Sequence, residues 1–107
     1  MTPFMFKSAY GSLETGWFTL NRYTNNDNVC VSIMSPEGPY AKLSVNTDLK
    51  LPDDEFVAKT YSENAGLVEQ FINMGYFTHD GRVKTCGQAE NQPILKFTDK
   101  FKKKMGL

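Results

Sequence analysis

Two alternating segments on either side of a proline-containing turn constrain the fold of this chain most. In residues 29–34 and again in residues 40–46, apolar side chains alternate with polar or small ones. This period of two is typical of strands that bury one face and expose the other. The intervening SPEGP sequence, residues 35–39, suits a tight turn, so the two segments predict an antiparallel hairpin. In its second strand the apolar face would hold Ala41, Leu43 and Val45, and the polar face Tyr40, Lys42, Ser44 and Asn46.

The preceding sequence extends this hairpin into a meander. Residues 17–23 also alternate, and the polar TNNDN sequence at 24–28 predicts a second tight turn. Residues 4–10 are rich in strand-forming side chains but alternate poorly, which leaves a first strand and an N-terminal arm as alternatives. Three antiparallel strands joined by two short turns are therefore expected in the first half of the chain.

The second half of the chain mixes helices with shorter strands. Ser62–Met74 has an apolar stripe at helical spacing and predicts the main helix, and Asp99 can cap a short C-terminal helix. The segment 56–61 follows three acidic residues and is readable as a helix start or as a strand, with the strand favoured. Further strands are expected at 82–86 and 94–98, with a turn at 78–81 and a polar loop at 87–92.

Together these elements predict an α+β fold in a single domain, residues 1–107. Its antiparallel sheet would have about five to six strands, beginning with the N-terminal meander, and would be packed by one main helix. A length of 107 residues suits one modest core. Because the meander alternates, one sheet face is expected beneath the helix and the other in solvent.

Charge is unevenly distributed although the formal net charge is zero. Residues 1–95 carry seven Lys or Arg against eleven Asp or Glu, a net charge of −4, whereas residues 96–107 carry five lysines against one aspartate, a net charge of +4. The overall balance argues against a dedicated DNA-binding protein. The basic stretch is interpreted first as a solvated terminus, with a contact to phosphate groups or to an acidic protein as the alternative. Its candidate nucleic-acid-binding residues are Lys96, Lys100, Lys102, Lys103 and Lys104.

Targeting signals are not evident in the sequence. The N-terminal residues lack the charged start and apolar run of a signal peptide, and no window is apolar enough for a membrane span. The protein is therefore expected in the cytoplasm, without a membrane partner. In that reducing compartment Cys30 and Cys86 are expected as free thiols, and a bridge between them is the alternative if the protein is exported.

No constellation of catalytic residues stands out. His79 is the only histidine, and it lies beside Asp80 in a turn-like sequence, where neighbours seldom orient each other for acid–base catalysis. The acidic run 53–55 lacks the spacing of a calcium loop and is interpreted as solvated or helix-capping. The histidine and the two distant cysteines match no zinc spacing, and nucleotide-binding and hydrolase motifs do not occur. We therefore expect no enzyme activity, no metal and no cofactor.

Aromatic side chains are the strongest candidates for partner contacts. Trp17 and Tyr40 fall opposite the apolar faces of their strands, and Trp, Tyr and Arg are frequent anchors of protein interfaces. For any one aromatic residue, packing beneath a loop is the simpler interpretation. The candidate partner-binding set is Trp17, Arg22, Tyr23, Tyr40, Lys42 and Asn46.

Two motifs resemble a family of small uncharacterised proteins, a domain of unknown function, from phages and conjugative elements. The motifs are the N-R-Y of residues 21–23 and the G-P-Y-A-x-L-S-V-N of residues 38–46, with Asn64 as a later asparagine before a helix. The C-terminal third departs from the family pattern. The family has no assigned activity, so the resemblance implies only a context: an accessory protein of a mobile element in a bacterial host cell, where small inhibitors of host defence are common.

Three functions are consistent with this sequence. The leading hypothesis is a non-enzymatic binding protein that docks on a larger host or defence protein complex, with anti-CRISPR-like inhibition as its most concrete form. The first alternative is a nucleic-acid-associated accessory protein that uses the basic stretch. The second alternative is a protein that sequesters a small molecule or nucleotide in a pocket between helix and sheet.

Overall fold

The computed structural model describes residues 3–8 and 10–107. In chain order its elements are β1 (Phe4–Lys7), β2 (Leu13–Arg22), β3 (Val29–Ser35), β4 (Gly38–Lys42), β5 (Ser44–Val45), β6 (Glu55–Ala58), α1 (Leu67–Asn73), β7 (Phe77–Cys86), β8 (Ala89–Phe97) and α2 (Asp99–Met105). The first sheet has the strand order β1-β2-β3-β4, and the second has the order β5-β6-β8-β7. Every strand pair is antiparallel.

The α+β class and the N-terminal meander are confirmed. β2, β3 and β4 pair in succession, and β1 joins them as a true strand rather than a loose arm. The segment 56–61, for which a strand was favoured, contributes most of β6. The expectation of about five to six strands is wrong, because the described residues form eight strands in two sheets.

The two sheets arise because one strand changes partner at Leu43. The N–H of Leu43 donates to the carbonyl oxygen of Val31 in the first sheet, at 2.8 Å. The carbonyl oxygen of the same residue accepts from the N–H of Lys59, which follows β6 in the second sheet, at 2.7 Å. The segment predicted as one strand over residues 40–46 is therefore two short strands, β4 and β5, that belong to different sheets. A strand that switches sheets at a bend is a recurrent corner between packed sheets.

A β-bulge turns Tyr40 toward the core. Ile33 pairs with Ala41, but the next residue, Met34, pairs with Pro39, so Tyr40 is the extra residue on its strand. Its ring packs edge-on against Phe6 with the ring centres 5.0 Å apart. The expectation that Tyr40 lies on the polar face, opposite Ala41, is therefore wrong, because a bulge interrupts the simple alternation of faces.

Aromatic side chains dominate the main core, which lies between the two sheets and beneath both helices. Phe18 of β2 and Phe71 of α1 lie 5.2 Å apart between ring centres, and Phe101 of α2 lies 5.1 Å from Phe18. The second sheet is also covered on its other face, where Val57 and Ile94 pack against Leu51 of the β5–β6 loop. Burial of apolar surface on both faces is the main stabilising term for such a sheet.

The β7–β8 hairpin replaces two connections expected from the sequence. The turn at 78–81 lies inside β7, where Gly81 has a φ of 98° and the register shifts between His79 and Val83. The polar loop expected at 87–92 reduces to a turn at Gly87 and Gln88, after which β8 begins. Long-range pairing with β8 therefore outweighs the local turn preference, and Gly81 is accommodated in a β-bulge.

The helices are shorter than the sequence pattern indicates. The helix predicted over Ser62–Met74 is a 3-10 turn at Ser62–Asn64 followed by α1, because Gly66 adopts a left-handed conformation with φ of 77°. The predicted C-terminal helix is present as α2, but its N-cap is Thr98, whose Oγ1 accepts the N–H of Phe101. Neither helix in the described part of the chain is long and apolar enough to cross a membrane.

A glutamine side chain closes the free edge of β1. The Gln70 side chain of α1 accepts the N–H of Lys7 at 2.8 Å and donates to the carbonyl oxygen of the same residue at 2.6 Å. These two bonds occupy one residue's donor and acceptor as a neighbouring strand would. An exposed edge is a common site of unwanted strand pairing, so this contact protects the sheet.

Close packing between β2 and β3 requires a glycine at position 16. A Cβ built on Gly16 would lie 2.7 Å from the carbonyl oxygen of Met34 and 2.9 Å from Cγ2 of Ile33. We expect Gly16→Ala to push these strands apart and to lower the free energy of unfolding by about 1–3 kcal/mol. Urea denaturation would measure the change, with Thr15→Ala on the exposed face as the control. Equal stability of the Gly16→Ala and parent proteins would contradict this packing.

Candidate protein-binding face

The first sheet has one face that points away from the main core, and we term it the outer face. Its members follow from the strand register, because paired residues of antiparallel strands project to the same side. Phe6, Phe18 and Ile33 point inward, so the residues that alternate with them point outward. The outer face consists of Met5, Lys7, Leu13, Thr15, Trp17, Thr19, Asn21, Ser32, Met34, Pro39 and Lys42.

An apolar band crosses this face. Trp17 pairs with Met34, and Met34 pairs with Pro39, so these three side chains form one row across β2, β3 and β4. Met5 and Leu13 continue the band toward β1, and they are 54% and 61% exposed. These five residues are the apolar band. Trp17 and Met34 are half-buried, and Pro39 is exposed. Scattered apolar side chains on a surface are ordinary, but a row of them that includes a tryptophan is typical of interaction sites.

Lys42 and Tyr23 lie together near the end of this face. The Nζ of Lys42 lies 5.8 Å from the centre of the Tyr23 ring. The Tyr23 hydroxyl and the Ser44 Oγ are 3.0 Å apart. Burial raises the pKa of Tyr23 to about 12, so its hydroxyl stays protonated at neutral pH and is available only for neutral hydrogen bonding. A shallow depression of about 380 Å³ runs between Thr19 and Lys42.

Arg22 lies apart from the outer face. Its Nη1 donates to Oδ1 of Asp53 at 2.8 Å and to the carbonyl oxygen of Asp27 at 3.1 Å. The hydrogen bond that Arg22 donates to Asp53 raises the pKa of Arg22, so the guanidinium is charged throughout the accessible pH range. Arg22 lines a groove of about 520 Å³ whose apolar residues include Val29 and Phe97. The structure therefore separates Arg22 from Trp17 and Lys42.

Asn46 belongs to a network that holds the β5–β6 loop. Its side chain accepts from Asn26 Nδ2 and donates to Asn25 Oδ1, both at 3.0 Å. In the same turn the buried Asn28 donates to the carbonyl oxygen of Leu49 and accepts the N–H of Leu51. The TNNDN sequence therefore forms a turn and also holds the β5–β6 loop through side-chain hydrogen bonds. Local turn propensity does not predict this second role.

The lysines of the basic stretch make several contacts within the chain. Lys96 and Lys102 both approach the carboxylate of Asp54, at 3.9 and 3.3 Å. Lys100 lies 4.8 Å from the ring centre of Tyr76, and Lys104 lies 5.4 Å from that of Phe4. Lys103 is exposed on α2. Four of the five predicted nucleic-acid-binding residues therefore have contacts that help to dock α2 and β8.

Arg82 contacts three of the polar groups that were considered for chemistry: His79, Asp80 and Glu55. Asp80 binds the side chain of Arg82 at 2.9 Å, and the Nε2 of His79 lies 2.9 Å from the Arg82 carbonyl oxygen. The buried Glu55 lies 2.9 Å from Nη1 of Arg82. Within the described ranges, no three His, Cys, Asp or Glu side chains come together to hold a metal ion. Cys30 is buried and Cys86 is partly buried, and both are free thiols.

Of the six candidate partner-binding residues, the structure brings three to one side of the first sheet. Trp17 and Lys42 are members of the outer face, and Tyr23 contacts Lys42. Sequence reasoning missed the other residues of the apolar band. The alternation of residues 29–34 could have located Met34, which falls on the strand face opposite Val31 and Ile33, whereas the positions of Met5 and Leu13 required the pairing of β1 with β2.

Comparison with known proteins adds no relative to this description. The family resemblance drawn from residues 21–23 and 38–46 rests on those motifs alone. Comparison of the chain with protein-family models, curated proteins and solved structures finds no match.

Proposed function

We propose that this protein is a non-enzymatic binding protein that docks on a larger protein through its outer face. The apolar band around Trp17 carries the proposal. In the context that the family resemblance implies, the partner is a defence complex of a bacterial host, and docking inhibits it in an anti-CRISPR-like manner.

The outer face alone supplies roughly half of the area that a stable protein interface buries. β1 and β4 contribute only four and five residues to the sheet, so the four strands together present roughly 360 Å², at about 3.3 by 4.8 Å for each residue. A stable interface buries about 800 Å² on each partner. The β1–β2 turn can supply part of the difference, because Tyr10 is 92% exposed there. Binding hot spots are enriched in tryptophan and cluster near the centre of an interface.

Affinity capture from a bacterial host lysate tests this function. The tagged protein is expected to retain a defined partner, and Trp17→Ala combined with Met34→Ala should weaken retention at least about tenfold, as loss of a hot spot does. Val83→Ala is the matched control, because Val83 is 48% exposed on β7 outside the outer face. Circular dichroism would verify that both variants are folded.

The result also separates the alternative functions. Retention that is equal for the double variant and the Val83 control contradicts docking through the outer face. Captured material that disappears after nuclease treatment or at raised salt favours nucleic-acid association through the basic stretch, because phosphate contacts weaken steeply with salt. A ligand that co-purifies and is detected by mass spectrometry favours sequestration of a small molecule.

A further inference from the structure

The two charged side chains of the outer face are both lysines. Lys7 lies on β1 next to Leu13, and Lys42 lies on β4 one row from Met34 and Pro39. A positive charge therefore flanks the apolar band at each end. The other polar members of the outer face, Thr15, Thr19, Asn21 and Ser32, are uncharged.

Of three acidic residues close to the outer face, two are turned away or neutralised, and the third, Glu37 in the β3–β4 turn, is exposed and accepts from Ser35 Oγ at 3.3 Å. Glu14 pairs with the inward-facing Phe6, so it projects from the opposite side of β2. Glu63 borders the depression beside Lys42, but its carboxylate lies 2.6 Å from Nζ of Lys59. That hydrogen bond lowers the pKa of Glu63 to about 2, so the pair remains formed and contributes no net charge at neutral pH.

From this arrangement we infer that the outer face binds a protein surface that is both apolar and acidic. The inference rests on the proposed docking function and specifies the partner's chemistry. Apolar side chains of the partner pack on the band around Trp17, and Asp or Glu residues at either end of the contact pair with Lys7 and Lys42. Complementary charge at an interface rim mainly selects the partner and speeds association.

Trp17 provides a direct readout, because it is the only tryptophan in the chain and lies in the apolar band. The ligands are three tryptophan-free amphipathic peptides with one shared apolar pattern, whose charged positions are all Glu, all Lys or all Gln. Titration of the protein with each peptide is followed by Trp17 emission. We expect the Glu peptide to shift the emission saturably and to bind at least about fivefold more tightly than the Lys peptide.

A charge swap tests whether the two lysines set this preference. The variant Lys7→Glu with Lys42→Glu should reverse the order, so that the Lys peptide binds more tightly than the Glu peptide. The matched control is Lys50→Glu with Lys103→Glu, which changes the net charge equally at exposed positions outside the outer face. This control should keep the preference of the parent protein.

Several outcomes overturn the inference. They are the absence of a saturable shift with the Glu peptide, equal binding of the Glu and Lys peptides, and an unchanged order in the charge-swap variant. A Trp17 shift with phosphatidylserine-containing vesicles but not with the Glu peptide would instead assign the face to an anionic membrane. Failure of the inference can be distinguished from failure of the proposed function. Lysate capture that depends on Trp17 but not on Lys7 and Lys42 would support protein docking and contradict the acidic partner.

Discussion

Replacing Phe18 by alanine is expected to lower the free energy of unfolding by about 3–5 kcal/mol, the usual cost of removing a buried aromatic ring. Phe18 is 4% exposed, and its ring centre lies between 4.6 and 5.8 Å from those of five other aromatic rings. These neighbours come from β1, β7, α1, α2 and the segment between α1 and β7. A cavity here loosens contacts with both helices at once. Urea denaturation followed by circular dichroism would measure the loss.

Two further variants make this prediction specific. Phe18→Leu fills most of the volume and should cost less than the alanine variant. Tyr10→Ala removes an aromatic ring that is 92% exposed and should change stability by no more than about 0.5 kcal/mol. Because small domains are stable by only about 5–15 kcal/mol, the Phe18→Ala protein is expected near its unfolding threshold. A loss below about 1 kcal/mol would contradict the central position of Phe18.

Replacing Asn64 by aspartate is expected to cost about 3–5 kcal/mol at neutral pH, as for a buried charge without a partner. Asn64 is fully buried, and its Nδ2 donates to the carbonyl oxygens of Lys42 and Lys59, at 2.7 and 3.1 Å. Its Oδ1 has no hydrogen-bond partner within residues 3–8 and 10–107. A carboxylate would remove both donors and place negative charge against two carbonyl oxygens.

The pH dependence of Asn64→Asp distinguishes buried charge from a simple packing defect. Burial raises the folded-state pKa of the introduced Asp above its unfolded value of about 3.9. The folded variant then binds its proton more tightly, so its stability falls relative to the parent protein as the pH rises above about 4. Asn64→Ala is the control, because it removes the same donors without a titrating group. A stability deficit for the aspartate variant that is the same at pH 4 and pH 8 would contradict this explanation.

Local alternation was sufficient to predict the meander. Residues 17–23, 29–34 and 40–46 alternate with a period of two, and short turn sequences join them, so both strand pairing and the inward face follow from the sequence. Trp17 was correctly assigned to the face opposite the core for the same reason. These features depend only on near neighbours in the chain.

Features that depend on distant partners could not be predicted in the same way. The alternation of residues 40–46 continues through Leu43, although the strand changes sheets there. Alternation of side chains does not show which neighbouring strand pairs with each backbone group. The bulge at Tyr40 likewise depends on its register against Met34. In β7, pairing with β8 outweighs a strong local turn signal at 78–81. The apolar band needed the register of all four strands of the first sheet.

The backbone of Leu43 links the first sheet, which carries the outer face, to the second sheet. Its N–H is held by β3 and its carbonyl oxygen by Lys59, so a single residue is bonded to both sheets. Asn64 reinforces the same corner by binding the carbonyl oxygens of Lys42 and Lys59. A force applied to β4 is therefore transmitted to the second sheet as well as to the first. The outer face is therefore tied through one residue to both sheets of the fold.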